Sequence, residues 1–248
     1  MIMEFRRFTD EKRLKFIAQT LEQSILKGAQ VLDIGCGNGI ISRRLGEMGF
    51  NVLGVDVSEK AIATANSLNK SSNVRFEVKS AEQLVADGQK YEAIICSEVL
   101  EHLHQPENLL KVLRKILAER GVLIVTVPNG KGGRELFVTK PVQALMNNFP
   151  RSWRWLSKIK SVLGYKGTTV QSDADDLSHI QFFTVNSLTA LAHMGGFEIM
   201  HWGKSNFIED VFPISFLTKR VRSLQKVDCK IAELLPLRLT GGFLTIWK

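Results

Sequence analysis

A chain of 248 residues with 44% hydrophobic side chains can close one large core, and the reading is a single domain over 1–248. No uncharged apolar run approaches the length of a membrane-spanning helix. The start, Met1-Ile2-Met3-Glu4-Phe5-Arg6-Arg7, lacks the basic-then-apolar order of a secretory signal, so the expectation is a soluble cytoplasmic protein. Cys36, Cys96 and Cys229 have no metal-type spacing and are read as thiols. The net charge of +8 is uneven: residues 1–130 hold 17 basic and 16 acidic side chains, residues 131–172 hold 8 and 1, residues 173–203 none and 4, and residues 204–248 hold 8 and 4. A local basic excess favours an anionic partner there over nucleic-acid binding by the whole surface.

In chain order, Leu14, Ile17, Ala18, Leu21 and Ile25 recur at helical spacing within 10–27, which predicts a helix packed across a sheet. A strand at about 30–34 then enters Gly35-Cys36-Gly37-Asn38-Gly39 and leaves as a helix running to about Met48, closed by Gly49. Alternate glycines let backbone approach a ligand that any Cβ would displace. The next apolar run, Val52-Leu53-Gly54-Val55, ends at Asp56, whose carboxylate can accept hydrogen bonds from both hydroxyls of a ribose. The ligand implied is an adenosine-type cofactor. A dinucleotide fingerprint would place its third glycine where Ile40 stands, and no G-K-[ST] is present to hold a triphosphate.

Asp33-Ile34-Gly35-Cys36-Gly37-Asn38-Gly39 resembles the glycine motif of the class I S-adenosylmethionine (SAM)-dependent methyltransferases. The resemblance implies SAM as cofactor, a Rossmann-like α/β fold with helices on both faces, and a mostly parallel seven-stranded sheet of order 3-2-1-4-5-7-6 whose strand seven is antiparallel. It also implies a cofactor set of Asp33, Gly35, Cys36, Gly37, Asp56 and Val57, with Ala81, Glu82 and Ser97 added from later in the chain.

Ser58 is placed to cap a helix over 59–68, and Val74–Val78 reads as a third strand. Ser80-Ala81-Glu82 follows as a loop, where the resemblance sets Ala81 backbone and the Glu82 carboxylate near the adenine. Tyr91–Cys96 is the fourth strand, Pro106 opens a helix through Leu117, and Gly121–Val127 is the fifth strand. A helix over 186–194, a sixth strand at about 197–202 and a last strand over 241–247 complete the unit. Two insertions interrupt it. The first, 131–178, contains the basic aromatic stretch Arg151-Ser152-Trp153-Arg154-Trp155 and is expected to form a basic cap over the site; the second is 204–240.

The fourth strand delivers Ser97-Glu98-Val99-Leu100-Glu101-His102 to the carboxyl edge of the sheet, where open α/β sheets bind ligands. Glu98, Glu101 and His102 share one face if this stretch is a helical turn. Two carboxylates and an imidazole suit a divalent ion, and suit equally a base held by its neighbours. The stretch resembles the E-x-x-E-H of ubiquinone-biosynthesis O-methyltransferases and of enzymes that methylate the terminal 2′-hydroxyl of small RNAs. Both groups are associated with a divalent ion there, and His179 looks like the further histidine of the RNA group. The reading adopted is metal-free, with His102, His179 and Glu101 as catalytic residues.

A sulfonium methyl is already activated, so the protein chiefly has to align an acceptor, and a hydroxyl acceptor additionally needs its proton removed. The expected reaction is methyl transfer to the hydroxyl of a small molecule, anionic or lipid-like, with peripheral membrane contact through the cap as an option. The alternatives are a metal-dependent RNA 2′-O-methyltransferase and a SAM-binding regulatory protein without turnover.

Overall fold

The computed structural model describes Phe5 and residues 7–132, 180–207, 218 and 221–248. Apart from Lys131 and Gly132, the expected cap lies outside the described residues, as does His179.

The chain begins with α1 (Phe8–Ser24) and passes through β1 (Gln30–Ile34), α2 (Ile40–Glu47), β2 (Asn51–Asp56), α3 (Glu59–Leu68), β3 (Val74–Val78) and α4 (Ala81–Ala86). It continues with β4 (Tyr91–Ser97), a single 3-10 turn (Leu100–His102), α5 (Pro106–Ile116) and β5 (Leu117–Pro128). Then come α6 (Val185–Met194), β6 (Ile199–Lys204), α7 (Arg222–Leu234), a second 3-10 turn (Leu237–Leu239) and β7 (Gly242–Trp247). The sheet has the order β3-β2-β1-β4-β5-β7-β6. β1 pairs parallel with both β2 and β4, and β7 runs antiparallel between β5 and β6.

Strand periodicity builds the two sides of the core. Along β1, Leu32 and Ile34 join the cluster under α5 and α6, with Leu110, Leu113 and Leu188, whereas Val31 joins the opposite cluster under α1, α2 and α3, with Ile17, Leu21 and Leu45. The same alternation divides β4 into Ile94 and Cys96 on one face and Ala93 and Ile95 on the other. It also fixes where polar side chains fall: Asp33 on β1 and Thr126 on β5 are in phase with the side that carries α1 and α2.

Boundaries differ from the sequence reading in four places. Residues 81–86 form α4 rather than a loop, because Ser80 and Gln83 make a reciprocal capping box in which Ser80 N–H donates to Gln83 Oε1 at 2.8 Å. β5 starts at Leu117, with a register shift that moves its partner on β4 from Tyr91–Leu117 to Ala93–Val122. β6 is displaced two residues along, since Phe197 is buried beside Trp247 and ladder pairing begins only at Ile199. The second insertion contains α7, a helix the sequence reading did not specify.

Candidate functional site

Strand order reverses between β1 and β4, and the glycine loop occupies the carboxyl end of β1 beside that crevice. Gly35 N–H and Cys36 N–H both donate to Val55 O, at 2.8 and 3.0 Å, so the loop is fastened over the end of β2. Gly35 has φ +69°, and a Cβ there would lie 2.5 Å from Val99 Cγ2. This position therefore requires glycine on two independent grounds. Asp56 closes the arrangement: Oδ2 accepts from Gly37 N–H at 3.0 Å and Oδ1 from Ser58 N–H at 2.9 Å. One bond per carboxylate oxygen leaves a lone pair on each for a ligand hydroxyl. Ser58 Oγ in turn accepts from Ala61 N–H, capping α3 as expected.

Asp33 is 2% exposed and accepts a 2.5 Å hydrogen bond from Ser42 Oγ of α2. It supports the loop from the inside of the fold. Burial raises its pKa from 3.8 to about 7, against the lowering effect of the Ser42 hydrogen bond, and the charge of Asp56 adds to the rise. Cys36 is buried and its thiol is pushed well up by burial and then by Asp33, so it is an inert wall of the loop.

Val57, directly after Asp56, is an apolar side chain left 76% exposed at the same edge. Ala81 and Glu82 start α4. The Glu82 carboxyl is exposed and held below its usual pKa by the Ser80 hydroxyl and by its own backbone N–H. Ser97 Oγ lies 2.9 Å from Thr126 Oγ1 at the end of β4.

The turn after β4 carries the acidic residues. Glu98 has φ +57°, the one non-glycine residue with positive φ among those described. Its side chain offsets that strain with two anchors: Oε1 accepts from Thr126 Oγ1 at 2.9 Å, and Oε2 stands 3.5 Å from the Arg13 guanidinium of α1. Glu101 is fully buried, and neither of its carboxyl oxygens has a hydrogen-bond partner. Burial, and next the charge of Glu98, raise its pKa well above the ordinary carboxyl value. Glu101 Oε1 lies 3.9 Å from His102 Nε2. The Glu101 carbonyl also accepts from Ile180 N–H and Gln181 N–H at 2.8 and 2.9 Å, which returns the chain to this turn immediately after the position of His179.

The three groups suggested for a divalent ion have different surroundings. Glu98 is drawn to Arg13 and Thr126, the Glu101 carboxyl is buried with neither oxygen hydrogen-bonded, and no three His, Cys, Asp or Glu side chains among the described residues converge on a common point. Arg13 and Thr126 were missed in the sequence. Arg13 does carry a signal, since it lies in register with Ile17 and Leu21 on the inward stripe of α1, where a cation needs a partner. Thr126 is a fully buried hydroxyl in an otherwise aliphatic run.

A family of methyltransferase domains matches residues 5–201. The ubiquinone biosynthesis O-methyltransferase of Coxiella burnetii (strain RSA 331) is 30% identical over 190 residues, covering 76% of this chain and 70% of that protein. The enzyme of the same name from Caulobacter sp. (strain K31) is 37% identical over 106 residues, 42% of each chain. Among solved structures, the magnesium protoporphyrin IX methyltransferase of Synechocystis with bound S-adenosylhomocysteine superposes with TM-score 0.58 at 18% identity, covering 96% of this chain and 83% of that one. A SAM-dependent methyltransferase from Mesorhizobium loti gives TM-score 0.57 at 16% identity, covering 96% and 99%. The glycine loop fastened to β2, the bifunctional Asp56 and the seven-stranded order thus meet a matching family over most of the length, and the chain belongs to the class I SAM-dependent methyltransferases.

Proposed function

We propose that the protein transfers the methyl group of SAM to a hydroxyl oxygen of a small, lipid-like acceptor. The observation that carries this reading is the placement of His102 beside the buried Glu101 carboxyl at the carboxyl edge of β4. When bound, SAM supplies an activated methyl on a sulfonium. Gly35, Cys36 and Gly37 give the backbone surface against which its methionine part lies, over the Asp33–Ser42 pair. Asp56 accepts from the ribose hydroxyls, and Val57, Ala81 and Glu82 take the adenine. Ser97 and Thr126 form the floor between cofactor and acceptor.

The acceptor hydroxyl must lose its proton as its oxygen attacks. His102 is the described group suited to take it, with the buried Glu101 carboxyl 3.9 Å from its Nε2. His179 is proposed as the second imidazole bracketing the acceptor, on the strength of the Ile180 and Gln181 bonds to the Glu101 carbonyl. The name shared by the Coxiella and Caulobacter relatives supports a hydroxyl acceptor of the hydroxylated quinone-precursor type. Incubation with methyl-labelled SAM and a panel of hydroxylated aromatic and lipid-like acceptors tests the proposal. Label in an ether product stands for it; label confined to amines or carbon acceptors overturns it.

A further inference from the structure

α7 is seated the wrong way round for an ordinary surface helix. Its inward side chains are Gln225, Asp228, Cys229 and Ala232. Two of these are polar and are consumed in seating it: Gln225 Oε1 accepts from Phe8 N–H and its Nε2 donates to Thr218 O, while Asp228 Oδ2 accepts from Phe207 N–H. The large apolar residues point outward. Leu224, Val227, Ile231 and Leu234 recur at spacings of three, four and three, which puts them on one face, and they are 41, 51, 41 and 87% exposed. A continuous apolar stripe of this length on an exposed helix marks an interaction surface, unlike scattered single residues.

We propose that this face of α7 docks on an anionic lipid surface. Charge complementarity selects that occupant. Lys226 and Lys230 are exposed along one border of the stripe, and Arg238 is exposed just beyond its end. An apolar face bordered by lysines is the arrangement of an interfacial helix, which sinks its aliphatic side chains to the acyl boundary while ammonium groups meet lipid phosphates. A second copy of the chain is a poorer occupant. Antiparallel pairing of α7 with itself would oppose like borders and bring the Lys226–Lys230 row of one copy against the same row of the other. α1 meets the helix on the inner side of that lysine row, through Glu11–Arg222 and Lys12–Glu233 and with Lys226 over the Phe8 ring at 5.7 Å, so the stripe itself lies outside this contact.

The inference is independent of the acceptor's identity, because docking is read without SAM or acceptor. The full chain is sedimented with vesicles of mixed phosphatidylcholine and phosphatidylglycerol, and with phosphatidylcholine alone. The expected result is binding to the anionic vesicles that weakens with salt. It falls at least about tenfold in the variant Leu224→Gln/Val227→Gln/Ile231→Gln/Leu234→Gln, and also in Lys226→Glu/Lys230→Glu. Glutamine keeps helix propensity, and an unchanged melting temperature and SAM affinity establish that the variants are folded. Binding that survives the glutamine substitutions overturns the proposal, as does failure of the native protein to bind anionic vesicles. So does a dimer in light scattering that the glutamine variant abolishes while vesicles bind neither protein.

Discussion

Replacing Asp33 with asparagine should flatten part of the pH dependence of folding stability. In the folded protein the Asp33 carboxyl titrates near 7 instead of 3.8, chiefly because burial disfavours its charge. A folded-state pKa above the unfolded one means that the folded form holds the proton more tightly. Stability from this group is therefore fully present below about pH 4 and is lost as pH rises through 7. Single-site linkage between those two values gives a loss of roughly 2–3 kcal/mol between pH 5 and pH 8. The substituted amide would not titrate, and its oxygen can still accept from Ser42 Oγ, so the variant should lack this contribution. The assay is urea unfolding of both proteins, without ligand, at pH 5, 6, 7 and 8. Glu101 and the other carboxyls are common to both, so the difference between the two curves isolates Asp33. The native protein should lose about 2–3 kcal/mol relative to the variant across that range. Parallel curves would show that Asp33 is ionised throughout and would refute the reasoning.

Three further outcomes are expected. Asp56→Ala should weaken SAM binding by about 1.5–3 kcal/mol in calorimetry, because charge-assisted bonds to the ribose and the tie to Gly37 are lost together; an unchanged affinity would remove Asp56 from the cofactor site. His102→Ala should lower kcat by roughly 10²–10⁴ while SAM affinity holds, and a chelator should leave turnover of the native protein unchanged; loss of turnover on chelation would restore the metal reading. Gly35→Ala should cost about 2–4 kcal/mol in denaturant unfolding, from the left-handed backbone together with the 2.5 Å approach to Val99 Cγ2. Adding Val99→Ala should recover the packing part and leave the backbone part.

The cofactor half of the site was legible because its chemistry is local. Gly35, Gly37 and Asp56 lie within one strand–turn–helix–strand unit, and the turn and the carboxylate that closes it are both written as residue types at fixed spacing. The helix starting at Ala81 was equally local and still passed over: Ser80 and Gln83 form the capping signature, but the polar residues around it read as a loop. The acceptor half was less accessible. That Glu98, Glu101 and His102 stand at the edge followed from the order of strands. That Glu98 turns to Arg13 and Thr126 while Glu101 is buried depends on a backbone φ of +57° and on side chains from α1 and β5, more than 80 and 28 positions away along the chain. Periodicity carries no information about such pairings. The inverted seating of α7 was hidden for the same reason, since its apolar stripe would ordinarily be read as the buried one.

The clasp between α1 and α7 has a consequence for the order in which the protein is made. Phe8 N–H reaches Gln225, Glu11 meets Arg222, Lys12 meets Glu233 and donates to Ser205 O, and Phe16 stacks on His201 of β6. Each contact joins residues roughly two hundred positions apart. At a synthesis rate of about 5–20 residues per second, α1 emerges on the order of ten seconds or more before any of these partners exists. The inner face of α1, with Ile17 and Leu21, can pack on Val31 and Leu45 well before that, so the clasp with α7 closes after the helix is already seated. The Arg13–Glu98 contact, by contrast, needs only residues up to 98 and can form before α7 exists.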